Sequence, residues 1–135
     1  MDITASLQGI GSFVAYLAAA VVAEVAFVSL YMAVTPHREV ALIKAGNTAA
    51  AVCLSGAVLG FTLPLASAIA HSVSLLDMAI WSGVALVVQL ALFLLAGVAL
   101  RGLSRHIEDG NLAAGVTLAA ASITIGLLNA ACMTD

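Results

Sequence analysis

Four long apolar runs constrain this chain more than any other feature. They cover residues 11–34, 48–70, 76–99 and 112–132. An α-helix needs ~20 residues to cross ~30 Å of hydrocarbon, and each run is about that long. Inside a bilayer every backbone N–H and C=O must be paired within the protein, so only helices and closed barrels span it. The apolar residues do not alternate, and a barrel needs more strands than the chain can supply. The runs therefore predict an all-α membrane protein with four transmembrane helices in a single domain over 1–135. Composition agrees: 8% of residues are charged and 64% hydrophobic, where a soluble domain carries ~25% charged residues. The net charge of −3 comes without a basic block, which excludes the electrostatic footprint of a nucleic-acid binder. Met1-Asp2-Ile3 lacks the basic start of a signal peptide, and the first run is too long for one, so it reads as a retained helix.

The connections fix an orientation. All 4 Lys and Arg residues fall in the first and third connections, as Arg38, Lys44, Arg101 and Arg105. Asp2, Asp77 and Asp135 lie toward the other side. Positive charge stays cytoplasmic, so both basic connections are expected inside and both termini in the periplasm. Tyr16 and Trp81 are expected at the outer interface and Tyr31 at the inner one, as in aromatic belts. In the first connection, Thr35 is expected to cap a short helix with Pro36 at its first position. Gly46 then stops that helix and Asn47 caps the next. Gly110-Asn111 repeats this ending in the third connection.

The repetition extends further. Ile43-x-x-Gly46-Asn47-x-Ala49-Ala50-x-Val52-x-Leu54 aligns with Ile107-x-x-Gly110-Asn111-x-Ala113-Ala114-x-Val116-x-Leu118, seven identities in twelve positions. Glu24-Val25-Ala26-Phe27 overlays Gln89-Leu90-Ala91-Leu92 with a one-residue slip. The chain is therefore expected to be a tandem repeat of two-helix units, 11–70 and 76–132. Two crossings per unit make the repeat parallel, with its pseudo-twofold axis along the membrane normal.

These residues also carry a resemblance. Thr35-Pro36-His37, Ile43-x-x-Gly46-Asn47-x-Ala49-Ala50-Ala51 and Gly56-x-x-x-Gly60-Phe61-x-Leu63-Pro64 resemble the YjfL-like family, domain of unknown function 350. So do Ile80-Trp81, Val88-Gln89 and Ile125-Gly126-Leu127-Leu128-Asn129-Ala130-Ala131, so that the resemblance spans nearly the whole chain. It implies a bacterial inner-membrane protein of four helices. The family has no established activity, so the resemblance brings no catalytic residues. Some members are encoded beside PspA-like membrane-remodelling proteins and ATP-grasp ligases similar to glutathionylspermidine synthase. That implies such partners, in envelope stress or membrane maintenance, by association.

Glu24 is the acidic side chain set deepest in any run. A charge at a helix centre costs about 2.5–3.5 kcal/mol on insertion scales, and such residues face the bundle interior. It is read as a proton-titrating or cation-binding carboxyl, against a structural carboxyl that ties two helices. Gln89 holds the equivalent place in the second unit, so the two are expected to bond directly or to flank a shared polar cavity. Ser82, two turns from Gln89 on the same face, and Ser122 extend this intramembrane polar site. Gly56-x-x-x-Gly60 and Ser122-x-x-x-Gly126-x-x-x-Ala130 are small-residue stripes that permit close helix approach, within the bundle or between copies. Pro64 frees the Gly60 carbonyl and can kink its helix; Asn129 lies at similar depth. Cys53 and Cys132 sit near opposite ends, about 20 Å apart in depth, too far for the ~7 Å of a disulfide. No Cys/His ligand spacing appears, so no metal or cofactor is expected.

The leading expectation is a small oligomeric proton- or cation-linked transporter or channel built on Glu24. The alternative is a non-transporting scaffold whose Arg38, Lys44, Arg101 and Arg105 recruit a soluble partner or anionic lipid. A lipid-modifying enzyme ranks third, because no nucleophile stands with a base; no Gly-rich phosphate loop, HExxH or GxSxG is present.

Overall fold

The computed structural model describes residues 2–35, 38–99 and 102–133. Among these, the chain forms six helices: α1 Ile3–Val34, α2 Glu39–Lys44, α3 Thr48–His71, α4 Leu75–Ala99, α5 Leu103–Glu108 and α6 Leu112–Cys132. The helices α1, α3, α4 and α6 are each long and apolar enough to cross a membrane. The short α2 and α5 lie in the two basic connections, at one end of the bundle.

Local chemistry sets the boundaries. α1 starts at Ile3, well before residue 11, because the Asp2 carboxylate accepts the Thr4 N–H at 3.0 Å and caps it there. Thr35 does not cap α2. Its hydroxyl donates to the Tyr31 carbonyl at 2.6 Å and closes α1 instead. Arg38 takes the N-cap place of α2 without a side-chain bond; Pro36 and His37 lie outside the described residues, as does Arg101. Gly46 and Gly110 reverse the chain after α2 and α5 with φ of 88° and 78°, a left-handed backbone that glycine adopts at no steric cost. Asn47 then accepts the Ala50 N–H, and Asn111 the N–H groups of Ala113 and Ala114. At the other end Ser74 accepts the Asp77 N–H at 3.1 Å, and Asp77 accepts the Val73 N–H at 3.0 Å. That reciprocal pair starts α4 as a capping box does.

The bundle is built on the pair α3 and α6. Gly56 lies against Ala119, Gly60 against the Ser122 backbone, Gly115 against Ala49 and Gly126 against the Gly60 backbone. A β-carbon at any of these glycines would overlap its neighbour. Lipid tails are as apolar as side chains, so helices associate in a membrane by close packing of this kind. α1 is attached differently. It buries Ala20, Phe27 and Tyr31, and Phe27 stacks on Phe61 of α3 at 4.4 Å between ring centroids. Tyr31 does not sit in an interfacial belt. It is fully buried, tilted against Phe93 of α4 at 4.7 Å, because partners for its hydroxyl are waiting inside. The rest of α1 presents Leu17, Val21, Val22 and Val25 outward, toward lipid in a membrane.

Candidate intramembrane polar site

The centre of the bundle is closed by polar groups that satisfy one another. Pro64 has no N–H to give the Gly60 carbonyl, four residues earlier in α3. Gly126 of α6 packs its Cα on that same carbonyl, where a Cα–H···O contact replaces part of the lost bond. Beside it, the Gln89 amide donates to the Ser122 carbonyl at 3.0 Å. Asn129 donates to the Ala85 carbonyl at 3.1 Å and reaches Gln89 Oε1 at 3.5 Å. Gln89 is 1% exposed. These bonds lock α4 to α6. They are open to Gln89 because Gly60 has no side chain: a β-carbon there would crowd Gln89 Nε2 at 3.2 Å.

Glu24 stands apart from this web. The expected Glu24–Gln89 bond is absent, since Gln89 is engaged with α6 while Glu24 turns to α3. There the Thr62 hydroxyl lies 3.1 Å from Glu24 Oε2. The same hydroxyl donates to the Val58 carbonyl of its own helix at 2.7 Å. Glu24 Oε1 is buried and has no hydrogen-bond partner. Glu24 itself is half-buried and Thr62 is exposed, so the pair sits on the outer seam between α1 and α3. Ser82 is buried, and its hydroxyl also lacks a partner. It lines a groove of about 430 Å³ between α1 and α4, walled mainly by Ala18, Ala23, Ala26 and Met78. Glu24 is not among the residues of that groove.

A second buried acid was not foreseen. Glu39, at the start of α2, is 2% exposed. Tyr31 of α1 and Cys53 of α3, 0% and 1% exposed, are buried at the same end of the bundle. The Tyr31 hydroxyl lies 3.3 Å from Cys53 Sγ, with the Glu39 carboxyl close by. Glu39 follows Arg38 in the basic connection, where charged side chains are mostly solvated. The run Val40-Ala41-Leu42-Ile43 behind it was the available signal, because so apolar a short helix must fold back on the bundle. Thr62 was also missed; a lone threonine in an apolar helix usually bonds its own backbone, and Thr62 does so too.

The remaining residues divide by end. Arg38 and Lys44 are exposed and line an open cavity of about 650 Å³ with Met32, Thr35 and Glu39. Arg105 and His106 are exposed on α5. Asn47 caps α3 and also donates to the Ile107 carbonyl at 2.6 Å, tying the two connections together. At the opposite end, Ser67 donates to the Ala130 carbonyl at 3.3 Å. There His71, Asp77, Trp81 and Cys132 share a cavity of about 300 Å³. Cys53 and Cys132 are both free thiols. Among the described residues, no group of His, Cys, Asp and Glu is placed to hold a metal ion.

Comparison with known proteins finds relatives of the chain by sequence. The model of the family described as Domain of Unknown Function (DUF350) matches residues 5–133. The UPF0719 inner membrane protein YjfL of Escherichia coli (strain K12) is 41% identical over 128 residues, covering 95% of this chain and 97% of that protein. The protein of the same name from Escherichia coli O157:H7 matches to the same extent. No solved structure matches.

Proposed function

The chain belongs to the DUF350 family, and from that premise we propose that it is an oligomeric inner-membrane protein that moves protons, or a cation coupled to them, past Glu24. One observation carries this reading. The Thr62 hydroxyl has a single hydrogen and two acceptors, the Val58 carbonyl at 2.7 Å and Glu24 Oε2 at 3.1 Å. Both contacts are fully satisfied together only when the carboxyl brings a proton of its own. The other carboxyl oxygen is unpartnered. A carboxyl with spare hydrogen-bonding capacity at membrane depth is suited to taking up and releasing a proton.

The position of Glu24 favours a pathway between copies over one through a single chain. The centre is filled by Gln89, Ser122 and Asn129, whereas Glu24 lies on an outer seam. A second copy against that seam would enclose the carboxyl. The parallel two-unit repeat fits this reading: α2 and α5 are matched six-residue helices, each followed by a positive-φ glycine and a capping asparagine. The positive-inside rule, applied to Arg38, Lys44 and Arg105, sets α2 and α5 in the cytoplasm and both termini in the periplasm. The reading is non-enzymatic and needs no cofactor.

The test is proton flux into vesicles that hold the purified protein. Wild type is expected to carry flux, and Glu24→Gln, which keeps the size but cannot titrate, is expected to fall to the vesicle background. Flux that survives in Glu24→Gln, or no wild-type flux of protons or of any coupled cation, overturns the reading.

A second reading rests on the cavity of about 650 Å³ beside Arg38 and Lys44. Two cations over an apolar wall suit an anionic lipid head group or an acidic soluble partner, and PspA-like or ATP-grasp proteins are the partners that the family resemblance offers. In that case Arg38→Ala abolishes function in cells while Glu24→Gln leaves it intact.

A further inference from the structure

We propose that α1 of one copy packs against α1 of a second copy, in parallel, along Ile3, Leu7, Ile10, Val14, Leu17 and Val21. The contact is argued from the build of α1; its use for Glu24 rests on the transport reading above. The six residues recur at alternating steps of four and three. That is the 3.5-residue period at which helices wind round each other and set knobs into holes. Each of the six is between 52% and 72% exposed. The face that α1 turns to its own bundle carries Tyr16, Ala20, Phe27 and Tyr31, about a third of a turn away round the helix. Among the described residues the stripe therefore has no partner.

Lipid tails would cover an apolar stripe that stayed within hydrocarbon, and this one does not stay there. Glu24 stands beside Thr62. Outward from that contact α3 continues nine residues to His71, while α1 continues twenty-one to Ile3. α1 thus outruns α3 by twelve residues, ~18 Å. α3 alone is ~36 Å long, enough to fill ~30 Å of hydrocarbon. The overhang stands among head groups and water, and its residues 3–14 are all exposed. Thr4, Gln8 and Ser12 occupy the side of α1 away from Ile3, Leu7 and Ile10. A polar back behind an apolar stripe marks a helix with one covered face. This helix does not lie flat on the membrane, because α1 runs unbroken from Ile3 to Val34. What covers the stripe is another helix standing upright beside it.

A second copy supplies a helix of the right length, direction and period. All copies insert the same way, so two α1 helices meet in parallel with like residues at like depth. The pairing buries no charge along the stripe, since no Asp, Glu, Lys, Arg or His lies between Asp2 and Glu24. The stripe is ~27 Å long. It would cover on the order of 600 Å² on each chain, near the ~800 Å² per partner of a specific interface. The next position in its register, three after Val21, is Glu24. Past that point the register turns into the bundle at Tyr31, because a straight helix drifts ~20° per heptad from a 3.5-residue repeat. The seam therefore ends at two Glu24 carboxyls at equal depth, one from each copy. Glu24 Oε1 is the oxygen left without a partner in the single chain.

The test places single cysteines on α1 of the full chain, in a Cys132→Ala background, in membranes of cells that express it. Disulfide cross-linking between copies is expected for Leu7→Cys, Ile10→Cys and Val14→Cys, and only background for Gln8→Cys and Ser12→Cys. Cross-linking that is uniform round the helix, or absent from the stripe, overturns the contact. Adding Leu7→Glu is expected to cut cross-linking of Val14→Cys at least fivefold, and adding Gln8→Glu to leave it unchanged. Equal effects of the two charges also overturn it. Flux then addresses Glu24: Leu7→Glu, far from the carboxyl, is expected to lower proton flux at least tenfold. Full flux in Leu7→Glu overturns the role of the seam at Glu24 while leaving the contact standing. The stated cross-linking pattern in a protein that carries no flux supports the contact and overturns the transport reading. Glu24-dependent flux without that pattern overturns the contact and leaves the transport reading in place.

Discussion

The seam between α3 and α6 and the seam between α1 and α3 are made by the same central helix and differ in almost everything else. On one side α3 offers Gly56 and Gly60 to Ala119, Ser122 and Gly126, and backbone meets backbone. On the other it offers Phe61, Thr62 and Cys53 to Phe27, Glu24 and Tyr31, and side chains meet side chains. The first seam holds no acid, since neither α3 nor α6 carries one. The second has two acids along it, the half-buried Glu24 at its middle and the buried Glu39 at its end. Close backbone contact leaves no room for a group that must gain and lose a proton. A seam spaced by aromatic and polar side chains does leave room. The difference teaches a division of labour: α3 and α6 hold the fold, and α1 brings the chemistry.

The largest test of that division is to push the tight seam apart. Gly126→Leu would drive a side chain into the Gly60 backbone, which cannot rotate away. Overpacking of this kind costs about 1–3 kcal/mol or more. The expected outcome is a large loss of folded protein in a detergent unfolding titration. Gly97→Leu, on α4 where nothing lies within 4 Å, is expected to unfold like wild type. Equal behaviour of the two variants would mean that the α3–α6 contact does not hold the bundle.

This asymmetry was only half legible in the sequence. The small-residue stripes at Gly56, Gly60, Ser122 and Gly126 follow from spacing alone, since residues four apart share a helix face. The caps at Asn47 and Asn111 follow from the glycine before each. Which helix each stripe would meet does not follow from spacing, and neither does the side on which Glu24 would fall. An apolar helix has no polar face to orient it, so α1 carries no periodic signal for where Glu24 turns. Pairing it with Gln89 assumed that equivalent positions meet. Gln89 instead bonds the Ser122 carbonyl exposed by the Gly60 gap, which is a tertiary fact. Glu39 was hidden for a similar reason: its burial depends on α2 folding back onto α3, with Leu42 and Ile43 packed on the cluster of Ala49, Ala50 and Cys53.

A subtler comparison sets one polar bond from each seam side by side. Interhelical hydrogen bonds in membranes average about 0.6 kcal/mol and reach about 1.7 kcal/mol. Gln89→Leu removes the bond to Ser122 and the acceptor for Asn129 within a sealed interior, so its cost is expected near the upper figure. Thr62→Val removes an exposed hydroxyl that keeps an acceptor in its own helix, so its cost is expected at or below the lower figure. Unfolding midpoints of the two variants in one detergent decide the order. If Thr62→Val proves the more destabilising, Glu24 is held as a structural strut and the outer seam is not loose.

The smallest expected difference lies between two caps that look alike in sequence. Losing an asparagine N-cap costs about 0.5–2 kcal/mol, so Asn47→Ala and Asn111→Ala begin as equals. Asn47 does more than cap. Its amide nitrogen donates to the Ile107 carbonyl at 2.6 Å and to the Glu108 carbonyl at 3.4 Å, across to α5. A net hydrogen bond of this kind contributes about 0.5–1.5 kcal/mol, so Asn47→Ala is expected to be the costlier substitution by about that margin. Asn47→Asp separates the two roles, because a carboxylate still caps α3 but offers no N–H and sets a negative charge against two carbonyls. If Asn47→Asp matches wild type, the tie between connections contributes nothing and the tight seam rests on its glycines alone. If it falls as far as Asn47→Ala, the tie outweighs the cap, and the rigid half of the molecule extends from the α3–α6 contact into both basic connections.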